Sequence, residues 1–357
     1  MSYGCLFRVA KLLFFDDICK VVVFLSILAH KINITMTANI DGLNYTLDAA
    51  DGCASVEKGE YSGSVAVPAK VVHDGKEYYV SAVSQAAFEG CTALESISLA
   101  DSVRAIGASA FKGCTALKSV AMGDNLLLIG NSAFAGCTSL QSIALPANLV
   151  AIESSMFDGC TALKSVVVGE NIDGVGEYAF CGCSSLENIT LPDGVKYVDS
   201  WAFRGCSSLK EIALPDSVTS LKKGAFWECS SITSFVLPLA VNIVEQGLLA
   251  KCESLRMVDI HEGVLSIGYG AFYYCHSLPE ITLPSSVQSI EEQTFRGCSS
   301  LKKLKVLAQA APMCSRDIAD AAVYSKAVLY VPMDCVGEYG FARVWSKFEN
   351  VEALSGC

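Results

Sequence analysis

Three observations predict a repeat solenoid: a strict 23-residue period, a short alternation of apolar residues inside each period, and a proline that often closes it. The expected architecture is a stack of about ten 23-residue coils with a parallel β-sheet along one face, capped at both ends. A single coil cannot bury its own apolar side, so neighbouring coils must share one lining, and the 357 residues do not divide into two or three independent cores.

The period is set by ten cysteines, Cys91, Cys114, Cys137, Cys160, Cys183, Cys206, Cys229, Cys252, Cys275 and Cys298, spaced by 23 residues without an insertion. Three residues before each stands Phe88 or its equivalent, replaced once by Leu249, and three residues after stands Leu94 or its equivalent, replaced once by Ile232. Pairs such as Ile97 and Leu99, Ile143 and Leu145, or Ile281 and Leu283 then alternate with polar residues, which places one side of a short strand inward and the other outward. Pro146, Pro192, Pro215, Pro238 and Pro284 follow that strand directly and, lacking an amide hydrogen, end the pairing. From Ile106 the apolar spacing changes to Ala110, Phe111 and Cys114, closer to helical geometry, and a glycine precedes the cysteine in most repeats to let the chain turn.

Both ends of such a stack need covers. Residues 39–81 lose the frame and read as an N-terminal β cap, with Asp74-Gly75 between β-formers as a hairpin signal. The solenoid is expected over 82–307. Residues 308–357 read as a degenerate last repeat, with a strand at 327–331 before Pro332 and a mainly helical segment at 334–350 carrying Tyr339, Trp345 and Phe348. Residues 1–38 form a leader, a possible signal peptide: the apolar run 21–29 after Lys20 has the length of a secretory core and is too short to span a bilayer, although Asp16 and Asp17 are foreign to a basic leader.

The pattern Leu-x-x-Ile-x-Leu-Pro, preceded by Ala-Phe-x-Gly-Cys, resembles the BspA-like leucine-rich repeat family, here over residues 82 to about 307. The resemblance implies a right-handed leucine-rich-repeat superhelix and a secreted or cell-surface protein that acts in adhesion.

Composition is consistent with this. With 52% hydrophobic and 18% charged residues the chain is not disordered, and a formal net charge of −11 works against phosphate backbones and anionic membranes, so no nucleic-acid partner is expected. The ten frame cysteines have parallel Cβ directions in a stack and are expected as buried thiols, not disulfides. Cys314 and Cys335, in the C-terminal segment, are a candidate bridge. Cys181 with Cys183 is a lone pair, and His30, His73, His261 and His276 have no ligand spacing, so neither a metal nor another cofactor is expected. Nucleophile-elbow, zinc-protease and phosphate-loop motifs are missing, and an enzyme is not expected.

Two surfaces are candidates for binding. The outward positions of the strands carry Lys164, Lys210, Glu211, Arg256, Asp259, Lys302, Lys303 and Lys305, a mixed charged face suited to protein or glycan contacts, whose bland alternative is plain solvation. The second is an edge of off-frame aromatics, Tyr178, Trp201, Trp227, Tyr273 and Tyr274, near the glycine replacements Glu228 and Lys251. There the alternative is rings lying over neighbouring turns. The expected function is therefore non-enzymatic binding of a host or bacterial surface protein or glycan, in adhesion. The alternatives are a structural or self-assembling surface protein and an intracellular scaffold.

Overall fold

The structure, a computed structural model, describes residues 35–354. The leader expected over 1–38 lies outside the described residues apart from its last four, which open the first strand. The chain divides after Asn171 into two compact units, and each is a β-solenoid of stacked coils.

The first unit begins with β1 (Thr35–Ile40) and β2 (Leu43–Asp48), an antiparallel pair joined at Asp41 and Gly42, which both have positive φ. Next, β3 (Cys53–Val56) pairs antiparallel with β2 and parallel with β6 (Lys76–Val83). Strand β5 (Lys70–His73) folds back on β6 with His73 opposite Lys76. The two linking residues, Asp74 at φ 52 and Gly75 at φ 75, form the primed turn that the Asp-Gly pair predicts. The coil frame then starts earlier than its cysteines: β4 (Gly63–Val67) already pairs in parallel with β7 (Leu94–Leu99), with Val65 opposite Ile97. Ile97 is in turn opposite Val120, and Ile143 opposite Val166.

In the second unit the same inward position runs from Ile189 through Phe235, Val258, Ile281 and Leu304 to Leu329 and Val351. Strand Val328–Val331 lies at residues 327–331, where a strand is expected, and strand Asn350–Ala353 pairs in parallel beside it. Among the described residues the coils thus number about thirteen, not ten. The additional turns lack the cysteine and phenylalanine of the frame but keep its inward apolar residue and its parallel pairing. Between the last two strands lie the short helix Val336–Phe341 and two 3-10 turns, whose Tyr339 and Trp345 are buried. The Trp345 indole donates to the Pro312 carbonyl at 2.9 Å. A helix not foreseen, Ala321–Lys326, is capped by the Asp320 carboxylate, which accepts from the Val323 amide.

The near-helical spacing at 106–114 does not form a helix. Amides here alternate in direction. Those of Ala110, Lys112 and Cys114 close local turns on Gly107, Ser109 and Phe111, whereas those of Ser109, Phe111 and Gly113 reach Asn131, Ala133 and Ala135 of the next coil at 2.7–2.8 Å. A continuous α-helix would turn every amide onto its own coil and leave nothing to join neighbours, so lateral bonding wins over local periodicity. The carbonyls of Pro146, Pro192, Pro215, Pro238 and Pro284 each accept the amide three residues on, opening a turn; Pro146, Pro238 and Pro284 follow paired strands, whereas the segments before Pro192 and Pro215 form no strand.

The core is a stack of identical side chains. Phe88, Phe111, Phe134 and Phe157 are fully buried, with successive rings 5.0, 5.3 and 5.7 Å apart and nearly parallel. In the second unit Phe180, Phe203 and Phe226 repeat this at 5.2 and 5.4 Å. The frame thiols behave as buried hydrogen-bond donors. Cys114, Cys137 and Cys160 donate to the carbonyls of Phe88, Phe111 and Phe134 at 3.0–3.2 Å, and Cys206, Cys229, Cys252, Cys275 and Cys298 repeat the contact at 3.1–3.3 Å. Burial pushes the thiols of Cys114, Cys160 and Cys298 up to about 12. The candidate bridge between Cys314 and Cys335 does not form: both thiols are free, and that of Cys335 donates to the Gln309 carbonyl at 2.9 Å. Among the described residues no helix is long and apolar enough to cross a membrane.

Candidate binding surfaces

Each coil of the cysteine frame holds two residues in the left-handed region, five and one positions before the cysteine. In the Cys114 coil these are Ser109 at φ 57 and Gly113 at φ 74. Only one of the two is glycine in any coil, and the glycine changes place. From Cys91 to Cys206 it stands next to the cysteine, but from Cys229 to Cys275 it stands at Gly224, Gly247 and Gly270, leaving Glu228, Lys251 and Tyr274 at positive φ. The tryptophans supply the reason for the first two of these. A Cβ on residue 224 would lie 2.3 Å from Cζ3 of Trp201, and one on residue 247 would lie 2.7 Å from Cε3 of Trp227. The indole of one coil thus occupies the space that a side chain of the next would need.

The aromatic edge is consequently two clusters. Trp201 and Trp227 meet edge to face at 5.5 Å, with Arg204 and Lys223 at 5.7 and 5.6 Å from the Trp201 ring. Tyr273 and Tyr274 meet at 4.4 Å, and His276 lies 5.3 Å from Tyr274. Tyr178 occupies the left-handed position of its own coil at φ 55. All five are half-buried. The rings of Trp201, Trp227 and Tyr274 lie over Gly224, Gly247 and Gly297 of the next coil, and Tyr274 also borders a shallow groove with Glu228 and Lys251. Glu228 is held below the usual carboxylate range by its hydrogen bond from Lys251 at 2.7 Å, with Arg204 at 3.8 Å.

On the strand face Lys164 is exposed in the first unit; in the second, Lys210, Glu211, Arg256, Asp259, Lys302 and Lys303 are exposed and Lys305 is half-buried. These residues do not form one uniform patch. Arg256, Lys302 and Lys303 line a basic groove of about 340 Å³ together with Met257 and Glu280. The Glu280 carboxylate lies 3.9 Å from Lys303 and 3.7 Å from Lys305, which offsets part of that charge. Pro279 has no amide to donate at the position where Lys118 of another coil donates to Glu95, and Met257–Asp259 and Glu280–Leu283 do not pair. Glu211 and Asp259 belong to a different, acidic groove of about 540 Å³, with Asp216, His261, Val236 and Leu239. The ring nitrogens of His261 lie 2.7 and 3.0 Å from the carbonyls of Glu262 and Pro238. Sequence reasoning misses Asp216, Val236 and Leu239. Apolar residues at outward positions, 57% exposed for Val236 and 72% for Leu239, were the available signal. No cluster of side chains suited to a metal ion occurs among the described residues.

The model of the BspA type leucine-rich repeat region matches residues 81–186 and 173–302, with six copies in all. No curated protein matches the sequence. Among solved structures, the pneumococcal vaccine antigen PcpA is similar at 17% identity and a TM-score of 0.57, over 91% of this chain and all of that one. A leucine-rich repeat protein from Bacteroides ovatus is 23% identical over 88% of this chain and 99% of its own, with a TM-score of 0.45. A leucine-rich cell surface protein from Faecalibacterium prausnitzii is 24% identical over 76% of this chain and 94% of its own, with a TM-score of 0.40. With stacked 23-residue coils, a phenylalanine ladder and a family match over more than half its length, the chain belongs to the BspA-type leucine-rich repeat family.

Proposed function

We propose that the protein is a non-enzymatic, secreted or cell-surface binding protein whose strand face attaches it to a protein or glycan on host or neighbouring cells. The observation that carries this reading is the division of the coil. Frame residues are buried in the ladder, whereas the outward strand positions display charges that the fold does not need. Family membership supports a protein-binding role, and the surface location and adhesion proposed here are what the BspA resemblance implies. The aromatic edge is the weaker candidate, because its tryptophans pack on glycines of the next coil and are partly covered by cations.

The test is retention of beads carrying the full chain on epithelial cells and on immobilised extracellular-matrix proteins. Reversing the strand-face charges with Glu211→Lys, Arg256→Glu, Asp259→Lys, Lys302→Glu and Lys303→Glu should abolish retention while the circular dichroism spectrum stays the same. Retention equal to that of the parent would refute the assignment of this face.

A further inference from the structure

We propose that the acidic groove over residues 188–261 docks an extended, basic polypeptide segment, whose main chain pairs with strand positions that the solenoid leaves open. This rests on the strand face being the binding surface.

The opening is seen in the backbone. Residues 188–190 and 211–213 occupy strand positions, yet they form no strand. The Lys210 amide stands 3.5 Å from the Glu187 carbonyl and that of Thr233 3.3 Å from Lys210, whereas equivalent bonds from Lys118 to Glu95 and from Arg256 to Thr233 are 2.8 Å. Among the described residues the amides of Ile189, Leu191, Ile212 and Leu214 donate to no protein acceptor. On the turn side the same coils remain joined. Phe203 donates to Ala225 and Gly205 to Trp227, both at 2.8 Å, and Gly224 donates to Gln246 at 2.9 Å. The coils therefore spread only on the strand side, and the groove of about 540 Å³ lies where they do. Unpaired peptide groups in a row are satisfied by water or by an incoming strand.

The lining selects the kind of strand. Glu211, Asp216 and Asp259 are exposed and have no ion-pair partner among the described residues. Val236 and Leu239 offer aliphatic surface beside them. Alternate side chains of an extended segment point the same way, so a basic residue at every second position faces the carboxylates while its backbone reaches the free amides. No tryptophan, tyrosine or phenylalanine ring lines this groove to stack on a sugar, and an acidic segment would meet three like charges.

The probe is a fluorescein-labelled octapeptide of alternating Lys and Val, titrated onto the full chain by anisotropy, beside a Glu and Val counterpart. The basic peptide should bind and the acidic one should not. Glu211→Gln with Asp259→Asn should weaken binding about fivefold to tenfold, as expected for two exposed charge contacts. Methylating alternate backbone nitrogens of the peptide should remove it. Equal binding of the acidic peptide, indifference to the double substitution, or full binding after methylation would each overturn the proposal. If the beads still adhere to cells while the basic peptide does not bind, this docking site fails alone; if neither occurs, the wider binding role fails with it.

Discussion

The substitution Gly224→Ala tests whether the tryptophan edge forces the change of glycine position. At φ 60 an alanine pays the left-handed penalty of about 1–2 kcal/mol, reduced by the lower entropy of its unfolded chain. Gly113→Ala carries the same backbone cost at φ 74, but its Cβ would meet nothing nearer than Gly90 Cα at 3.9 Å, so the net loss there should be about 1 kcal/mol. At 224 the methyl would lie 2.3 Å from the Trp201 ring, which must move. That gives up the edge contact with Trp227 at 5.5 Å, about 0.5–1.5 kcal/mol. It also gives up cation contacts with Arg204 and Lys223, about 0.5–1 kcal/mol. The expected loss is about 2–4 kcal/mol. Urea denaturation followed by circular dichroism, with hydrogen exchange at residues 203–227, measures both variants. Combining Gly224→Ala with Trp201→Ser should recover about 1–2 kcal/mol relative to additivity, since the clash is removed with the ring. Equal losses for the two alanines, with no coupling to Trp201, would refute the steric origin of the exchange.

Two further outcomes follow from the core. Phe111→Ala, which removes a ring stacked at 5.0 and 5.3 Å between two others, should cost about 3–5 kcal/mol, and Phe111→Leu much less, because Leu249 fills the same place in its own coil; urea midpoints decide. The frame thiols should resist alkylation at pH 8 until denaturant is added. Their folded pKa lies above the unfolded value, so the folded state holds the proton more tightly between pH 9 and about 12. Their contribution is complete below pH 9 and is lost as pH rises through that window. Replacing Cys114 and Cys160 with alanine should flatten the fall of stability there, and an unchanged slope would count against buried thiols as its source.

The coil was readable because its period is a statement about packing: Phe88, Cys91, Leu94 and Ile97 recur at the positions that must be inward, and all are buried. The end turns were harder to see. β4 and Asn350–Ala353 continue the parallel pairing with Val65 and Val351 but have no cysteine or phenylalanine to mark them. The turn segment misled because Ile106, Ala110, Phe111 and Cys114 have a helical spacing for a different reason. Two left-handed residues per coil bring the same side chains inward while freeing alternate amides for the next coil. The candidate site was legible only in part. Glu211 and Asp259 stand out as outward charges, but the spread of the strands around them depends on lateral hydrogen bonds that no residue pattern announces.

Two ladders join the coils, and they differ in what they tolerate. The turn-side ladder combines backbone bonds, thiol donors and stacked rings, so a coil that loses one of these is still held by the others; Leu249 interrupts the rings while the Cys275 thiol still donates to its carbonyl at 3.2 Å. The strand-side ladder has backbone bonds and an inward apolar residue alone, and it is interrupted at Pro279 and where neighbouring coils spread. Cohesion is therefore concentrated on the side where the sequence is repetitive. The opposite face is left free to vary in charge and to open between coils without loss of the stack, and the basic and acidic grooves of the second unit lie there, among the strands.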